Sequence, residues 1–94
     1  MKMIGMFAVS KAGHDKGKMY VIIGQENDIL YLADGKTRGL EKPKKKKKKH
    51  LQIVSSELDP VIVGKLTQKQ TIYNEEIKRA IKIRTNKEVT DVKG

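Results

Sequence analysis

Short runs of hydrophobic and β-branched residues recur through the first half of the chain, each closed by glycine or small polar residues, and this pattern predicts strands joined by turns. MFAVS (Met6 to Ser10) places Phe7 and Val9 on one face. KAGHDKGK follows as a turn-rich octapeptide, and KMYVIIG (Lys18 to Gly24) is a stronger strand because Val21, Ile22 and Ile23 are β-branched. QEND is a polar turn, and ILYLA (Ile29 to Ala33) is a third strand. Asp34-Gly35 then predicts a two-residue hairpin, since both turn positions must tolerate positive φ, with KTRGLE (Lys36 to Glu41) as the return strand. HLQIVS (His50 to Ser55) offers a fifth strand with Leu51 and Ile53 on one face. Short strands at this spacing predict a mainly β fold, a small barrel rather than an open sheet.

The period changes in the second half. Pro60 can open a short helix at its first turn, ending near Gly64. NEEIKRAIKIR (Asn74 to Arg84) is a clearer helix: Asn74 is placed to cap it, Glu75 and Glu76 suit its N-terminal end, and Lys82 and Arg84 its C-terminal end. Ile77, Ala80 and Ile81 fall at i, i+3 and i+4 and form an apolar stripe to lay on the barrel. TNKEVTDVKG, the last ten residues, is expected to be a frayed tail. The expected division is a barrel over residues 1–56 and a helical extension and tail over 57–94.

Charge sharpens this picture. Lys and Arg total 21 against 11 acidic residues, for a net charge of +10. Setting aside Lys42 and Lys44 to Lys49 leaves 14 basic against 11 acidic residues, so the excess is concentrated in EKPKKKKKKH at positions 41 to 50. A local basic surface predicts a polyanionic partner, RNA or DNA before an anionic membrane surface. There is no cysteine, which removes disulfides and thiolate metal sites. MKMIGMFAV is too short for a signal peptide or a membrane span and is broken by Lys2 and Gly5, so a soluble cytoplasmic protein without membrane association is expected.

AGHDKGK superficially suggests a phosphate loop, but only three residues separate Gly13 from Gly17 and Met19 follows Lys18 where a P-loop needs Ser or Thr. It reads instead as a tight strand connection in which Lys11, His14, Lys16 and Lys18 crowd together with only Asp15 opposing them.

GMFAVSKAGHDKGKMYVIIG resembles a KOW motif, a strand, glycine loop and strand that begin an SH3-like barrel, with Gly17 as the central glycine. SKAGHDKGKMYVIIG, LADGKTRGLEKPKKKKKKHL and NEEIKRAI are similar to small bacterial KOW-domain RNA-binding proteins, relatives of the fourteen-e type proteins of the archaeal and eukaryotic large ribosomal subunit. The resemblance spans roughly residues 4 to 54 and, more loosely, the last helix; residues 57–72 match no part of it. It implies an SH3-like barrel with a C-terminal helical extension that binds structured RNA, ribosomal RNA of the large subunit in particular, with ribosomal proteins as neighbours. On the family's pattern the RNA-contacting positions are Lys11, Gly13, His14, Lys16, Gly17 and Lys18 of the glycine loop. A second basic element comprises Lys36, Arg38, Lys42, Lys44, Lys45, Lys46, Lys47, Lys48, Lys49 and His50.

Lysine is a point charge that positions phosphates and reads no bases. About five phosphate contacts would give a salt slope of roughly −3.5 to −4.5. Base readout would fall to Arg38, His50, Tyr73, Arg79 or Arg84, whereas Tyr20 and Tyr31 lie within strands and read as packing residues. No serine has an evident base beside it and the two histidines stand apart in the sequence, so no enzyme activity, metal or cofactor is expected. Rival readings are a protein-interaction module docking a partner on the Ile77, Ala80 and Ile81 stripe, a transcription-associated KOW module, a ligand-free solvated loop and a nuclear address label. The free protein is expected to be a monomer whose lysine run is mobile.

Overall fold

Strand β1 (Phe7–Ser10) pairs antiparallel with β2 (Met19–Glu26), β2 with β3 (Ile29–Ala33), and β3 with β4 (Lys44–Lys47). A 3-10 turn, η1 (Lys48–His50), leads into β5 (Leu51–Val54), which returns to the free side of β1. Two helices follow, α1 (Pro60–Thr67) and α2 (Asn74–Lys93). The structure, a computed structural model, describes residues 3–54 and 60–93, with side chains as far as residue 85. Ser55, the expected end of the fifth strand, and the expected domain boundary at 56 and 57 lie outside the described residues.

The sheet has five strands in the order β4-β3-β2-β1-β5. Its two outer strands are consecutive in the chain, separated only by η1. A flat sheet would hold them four spacings apart, about 19 Å. A 3-10 turn rises only about 2 Å per residue. The sheet must therefore curl until its edges lie one turn apart, which gives the mainly β, barrel-like fold expected from the strand spacing. A bulge between Ile22 and Gly24 on β2 supplies local bend.

Both faces of the curled sheet are buried. Ala8, Tyr20, Ile22, Leu30, Leu32 and Leu51 fill the interior with Met3. Phe7, Val21 and Ala33 face outward and are covered by Ile62 of α1 and by Ile77 and Ala80 of α2. Burial on both faces explains why MYVII reads as a continuous apolar run rather than an alternation.

Three expectations are corrected here. The return strand after β3 is not KTRGLE but the lysine run itself. The cause is Asp34, whose carboxylate accepts hydrogen bonds from the backbone amides of Lys36 (2.8 Å) and Arg38 (2.7 Å) and from the Thr37 hydroxyl (2.6 Å). That side-chain-closed turn holds residues 34–38 out of the ladder, as short polar side chains do when they compete with a sheet for the backbone. Second, α1 continues through Gly64 to Thr67, and α2 runs to Lys93 where a frayed tail was expected. Third, Asn74 does not cap α2. Its side chain accepts from the Leu40 amide (2.8 Å) and donates to Glu41 (3.3 Å), tying the 34–41 loop to the helix. Glu76 instead reaches back to the Tyr73 amide (2.9 Å), half of a capping box, and accepts from Lys65 of α1 (2.5 Å). Those two contacts hold the Glu76 carboxyl below its ordinary range, the Lys65 ammonium first and the Tyr73 amide second.

Gly35 lies where this loop meets α2. Its φ is +75°, and a Cβ there would overlap the Asn74 carbonyl and come within 2.8 Å of the Lys78 nitrogen. Gly35→Ala is expected to destabilise the protein by about 2–4 kcal/mol, combining the left-handed φ with a collision against rigid helix backbone. Urea denaturation measures it; an unchanged midpoint would mean that α2 does not dock on this turn.

Candidate nucleic-acid interface

A strand of four lysines cannot be uniform, because alternate side chains point to opposite faces. The register decides which are which. Lys44 and Lys46 stand opposite Leu32 and Leu30, whose side chains fill the barrel interior, while Lys45 and Lys47 stand opposite Tyr31 and Ile29. Exposure follows the same alternation: Lys44 and Lys46 are half-buried, Lys45 and Lys47 exposed.

The inward pair converges on Asp15 of the glycine loop. One carboxylate oxygen accepts from the Lys46 ammonium (2.8 Å) and the Ser10 hydroxyl (2.8 Å). The other accepts from Lys44 (2.8 Å) and the Tyr20 hydroxyl (2.7 Å). Lys46 also donates to the Ala12 carbonyl (2.7 Å) and contacts Ser10 Oγ (2.8 Å). The Asp15 and Lys46 side chains are only 10% and 11% exposed, so this is a largely buried, fully paired cluster at the end of the barrel. Burial pushes the Asp15 carboxyl upward, but the hydrogen bonds from Lys44, Lys46, Tyr20 and Ser10 outweigh it and hold the group well below the usual carboxylate range. The Tyr20 hydroxyl is raised, by burial first and then by its bond to the Asp15 anion.

The glycine loop is thereby fastened to β4. It is also closed on itself, with the Gly17 amide donating to the Ser10 carbonyl (2.8 Å) and the Ser10 amide to Lys18 (2.9 Å). Gly13 and Gly17 take φ of +88° and +90°, as the expected tight connection requires. A second tie runs from the Lys11 amide to the His50 carbonyl (2.8 Å), joining this loop to η1. The run, expected to join two barrel strands, is itself a paired strand and one helical turn.

Lys18 is also held. Its ammonium lies 2.6 Å from Asp34 and 2.6 Å from the Thr37 hydroxyl, and over the Tyr20 ring at 5.4 Å from its centroid. Burial raises the Asp34 carboxyl, but Lys18, Thr37 and the Arg38 and Lys36 amides together hold it well below its ordinary value.

The sixteen expected contact residues therefore divide. Lys11, Gly13, His14, Lys16, Gly17, Lys36, Arg38, Lys42, Lys45, Lys47, Lys48 and Lys49 are exposed, and His50 is half-buried beside Lys11. Lys11, Lys16, Lys45, Lys47, Lys48 and Lys49 form no ion pair among the described residues; Lys45 lies over the Tyr31 ring at 5.8 Å. Lys18, Lys44 and Lys46, by contrast, are committed to Asp34 and Asp15. Tyr20 packs in the core as expected, and Tyr73, a candidate for base contact, is 62% exposed.

Sequence reasoning did not single out Lys78 and gave Lys82 only a role at the end of the helix, which in fact runs on to Lys93. They line an open groove of about 590 Å³ between α2 and the sheet, together with Lys18 and Lys36. Their spacing of four residues, one step along from Ile77 and Ile81, was the available signal. Among the described residues no group of three or more His, Asp or Glu side chains is placed to hold a metal ion, and no helix is long and apolar enough to cross a membrane. No known family model and no curated protein sequence matches this chain.

Proposed function

We propose that this protein binds structured RNA by phosphate and shape recognition, acting in the cytoplasm as a monomer and in association with the large ribosomal subunit. The observation that carries this reading is the fastening of the glycine loop to the lysine strand and η1. It presents Lys11 and Lys16 together with Lys45, Lys47, Lys48 and Lys49 on connected, hydrogen-bonded backbone, with no carboxylate partner among the described residues. Ordering these cations before the partner arrives lowers the entropy cost of binding. Uncompensated lysines on a rigid scaffold suit the regular phosphates of a folded RNA better than the bases of a single strand. The resemblance of the glycine loop and flanking strands to KOW-domain proteins points to ribosomal RNA as the source.

Because Asp15 holds Lys44 and Lys46, the run contributes about four phosphate contacts rather than five, and the salt slope becomes roughly −3 to −3.6. Affinity is then expected to fall on the order of a hundredfold between 50 and 200 mM salt. Of the stripe offered as a protein dock, Ile77 and Ala80 are packed against the sheet at 0% and 5% exposure, and Ile81 is half-buried at the edge of an open groove.

Sedimentation of cell lysate through sucrose at about 100 and about 500 mM monovalent salt tests the ribosomal source. Co-migration with large subunits that is weakened by high salt is the expected result. A protein that stays at the top of both gradients overturns the ribosomal assignment, and co-migration with RNA polymerase would replace it with the transcription-associated one.

A further inference from the structure

The groove between α2 and the sheet combines two chemistries. Its floor is apolar, made by Val9, Met19, Val54 and Ile81. Its rim carries Lys36, Lys78 and Lys82, all exposed and none in an ion pair among the described residues. The one carboxylate on its wall, Asp34, is already neutralised by Lys18 and saturated by Thr37 and two backbone amides. The electrostatic character of the rim is therefore cationic.

Gly17 also lines the groove, which makes the groove continuous with the glycine loop. Nothing lies within 4 Å of where a Gly17 Cβ would stand, so a ligand has open access to the backbone at that point. The groove volume, about 590 Å³, falls within the range of roughly 300–1,000 Å³ typical of sites for small ligand groups.

A flat apolar body with anions on either side is the ligand that satisfies such a site, and an unpaired nucleotide in a nucleic acid chain has that form. We infer that the groove seats one extrahelical nucleotide of the bound RNA, its base on the Val9, Met19, Val54 and Ile81 floor and its flanking phosphates on Lys36, Lys78 and Lys82. This rests on the RNA-binding reading and extends it, because continuous phosphate contact by the lysine run alone does not distinguish one duplex from another. The groove adds a preference for RNA carrying a bulge. A bulged nucleotide is already unpaired, so seating it carries little unstacking cost. The floor side chains carry no hydrogen-bond donor, and the polar side chains beside them are engaged: the Thr85 hydroxyl donates to the Ile81 carbonyl (2.9 Å), and the Asp34 oxygens already accept from Lys18, Thr37 and two backbone amides. The preference is thus for an unpaired base of any identity.

Two RNA probes separate this inference from the one beneath it: a continuous duplex, and the same duplex with a single bulged 2-aminopurine. Titration is by fluorescence anisotropy at about 100 mM salt. The bulged duplex is expected to bind about tenfold more tightly, the equivalent of burying one face of a base. The 2-aminopurine emission should change on binding. Met19→Gln, which keeps side-chain length and puts an amide on the floor, should bring the ratio to within about twofold while leaving continuous-duplex affinity unchanged. The double variant Lys78→Ser/Lys82→Ser, at exposed helix positions, should lower the ratio without altering the thermal melt. Equal affinity for the two probes, with no emission change, overturns the groove assignment and leaves the RNA reading standing. Failure of both probes to bind overturns both. Displacement of the bulge-specific signal by a peptide of alternating aspartate and leucine, with no preference between the RNAs, assigns the groove to a protein and overturns the inference.

Discussion

Replacing Lys45, Lys47, Lys48 and Lys49 together by serine is expected to weaken RNA binding on the order of a hundredfold at physiological salt and to flatten the salt slope by about 3. The matched experiment replaces Lys44 and Lys46, from the same run and with the same residue type. It should leave the slope within about half a unit of its original value and instead cost about 1–3 kcal/mol of folding stability. The difference arises from strand alternation. Lys44 and Lys46 lie opposite Leu32 and Leu30 and end on Asp15, so their aliphatic stems close the barrel interior while their ammoniums are already paired. The outward four meet solvent. Measuring the two variants at low temperature, with circular dichroism to establish that both are folded, separates affinity from stability. Equal loss of slope in the two variants would mean that the run acts as an undifferentiated cloud of charge and that the register of β4 is immaterial to function.

Asp15→Ala is expected to lower stability by about 2–4 kcal/mol, a large effect for a residue outside the apolar core. Counting charges gives the same sign, since Asp15 is the one acid of a crowded basic loop and its removal raises the repulsion there. Geometry adds to this. The substitution leaves Lys46 largely buried without its carboxylate and strips Ser10 and Tyr20 of their shared acceptor. The same site gives a pH dependence. The folded-state values of Asp15 and Asp34 lie below those of the unfolded chain. The stability they contribute is therefore fully present above the ordinary carboxylate value of about 3.9 and is lost as pH falls through the depressed folded-state values. The urea midpoint should be flat from neutral pH to about 5 and should drop steeply below about 4. Asp15→Asn should make that acid limb shallower. An acid limb of unchanged steepness in Asp15→Asn would show that the cluster does not hold its carboxylate in the folded state.

These two expectations turn on what was and was not legible in the chain. Strands β2 and β3 could be read because Tyr20 to Ile23 and Ile29 to Ala33 are apolar enough to be buried on one or both faces. The stripe of Ile77, Ala80 and Ile81 could be read because helix spacing is a local property. The fourth strand could not. Lysine is depleted in strands, and KTRGLE follows a favourable Asp-Gly turn, so local propensity pointed to the wrong return segment. What overrode it was an Asp34 carboxylate that preferred nearby amides, and an Asp15 carboxylate that met Lys46 from 31 residues away. Contacts of that separation leave no periodicity behind. The candidate interface was legible in composition but not in its division: which lysines are free and which are structural depends on a register that exists only in the folded sheet.

That register has a consequence for how the chain tolerates change in length. In most strands a slip of one residue turns every side chain to the wrong face. Here positions 44 to 49 are all lysine, so a slip of one or two residues that brings Lys45 or Lys46 opposite Leu32 still offers an ammonium to each inward seat and one to each outward seat. A tract shortened by one lysine codon would still fill both places facing Asp15 and give up only an exposed residue of η1. Between Pro43 and His50, insertion and deletion are buffered by monotony, a robustness that a strand of mixed residues does not have.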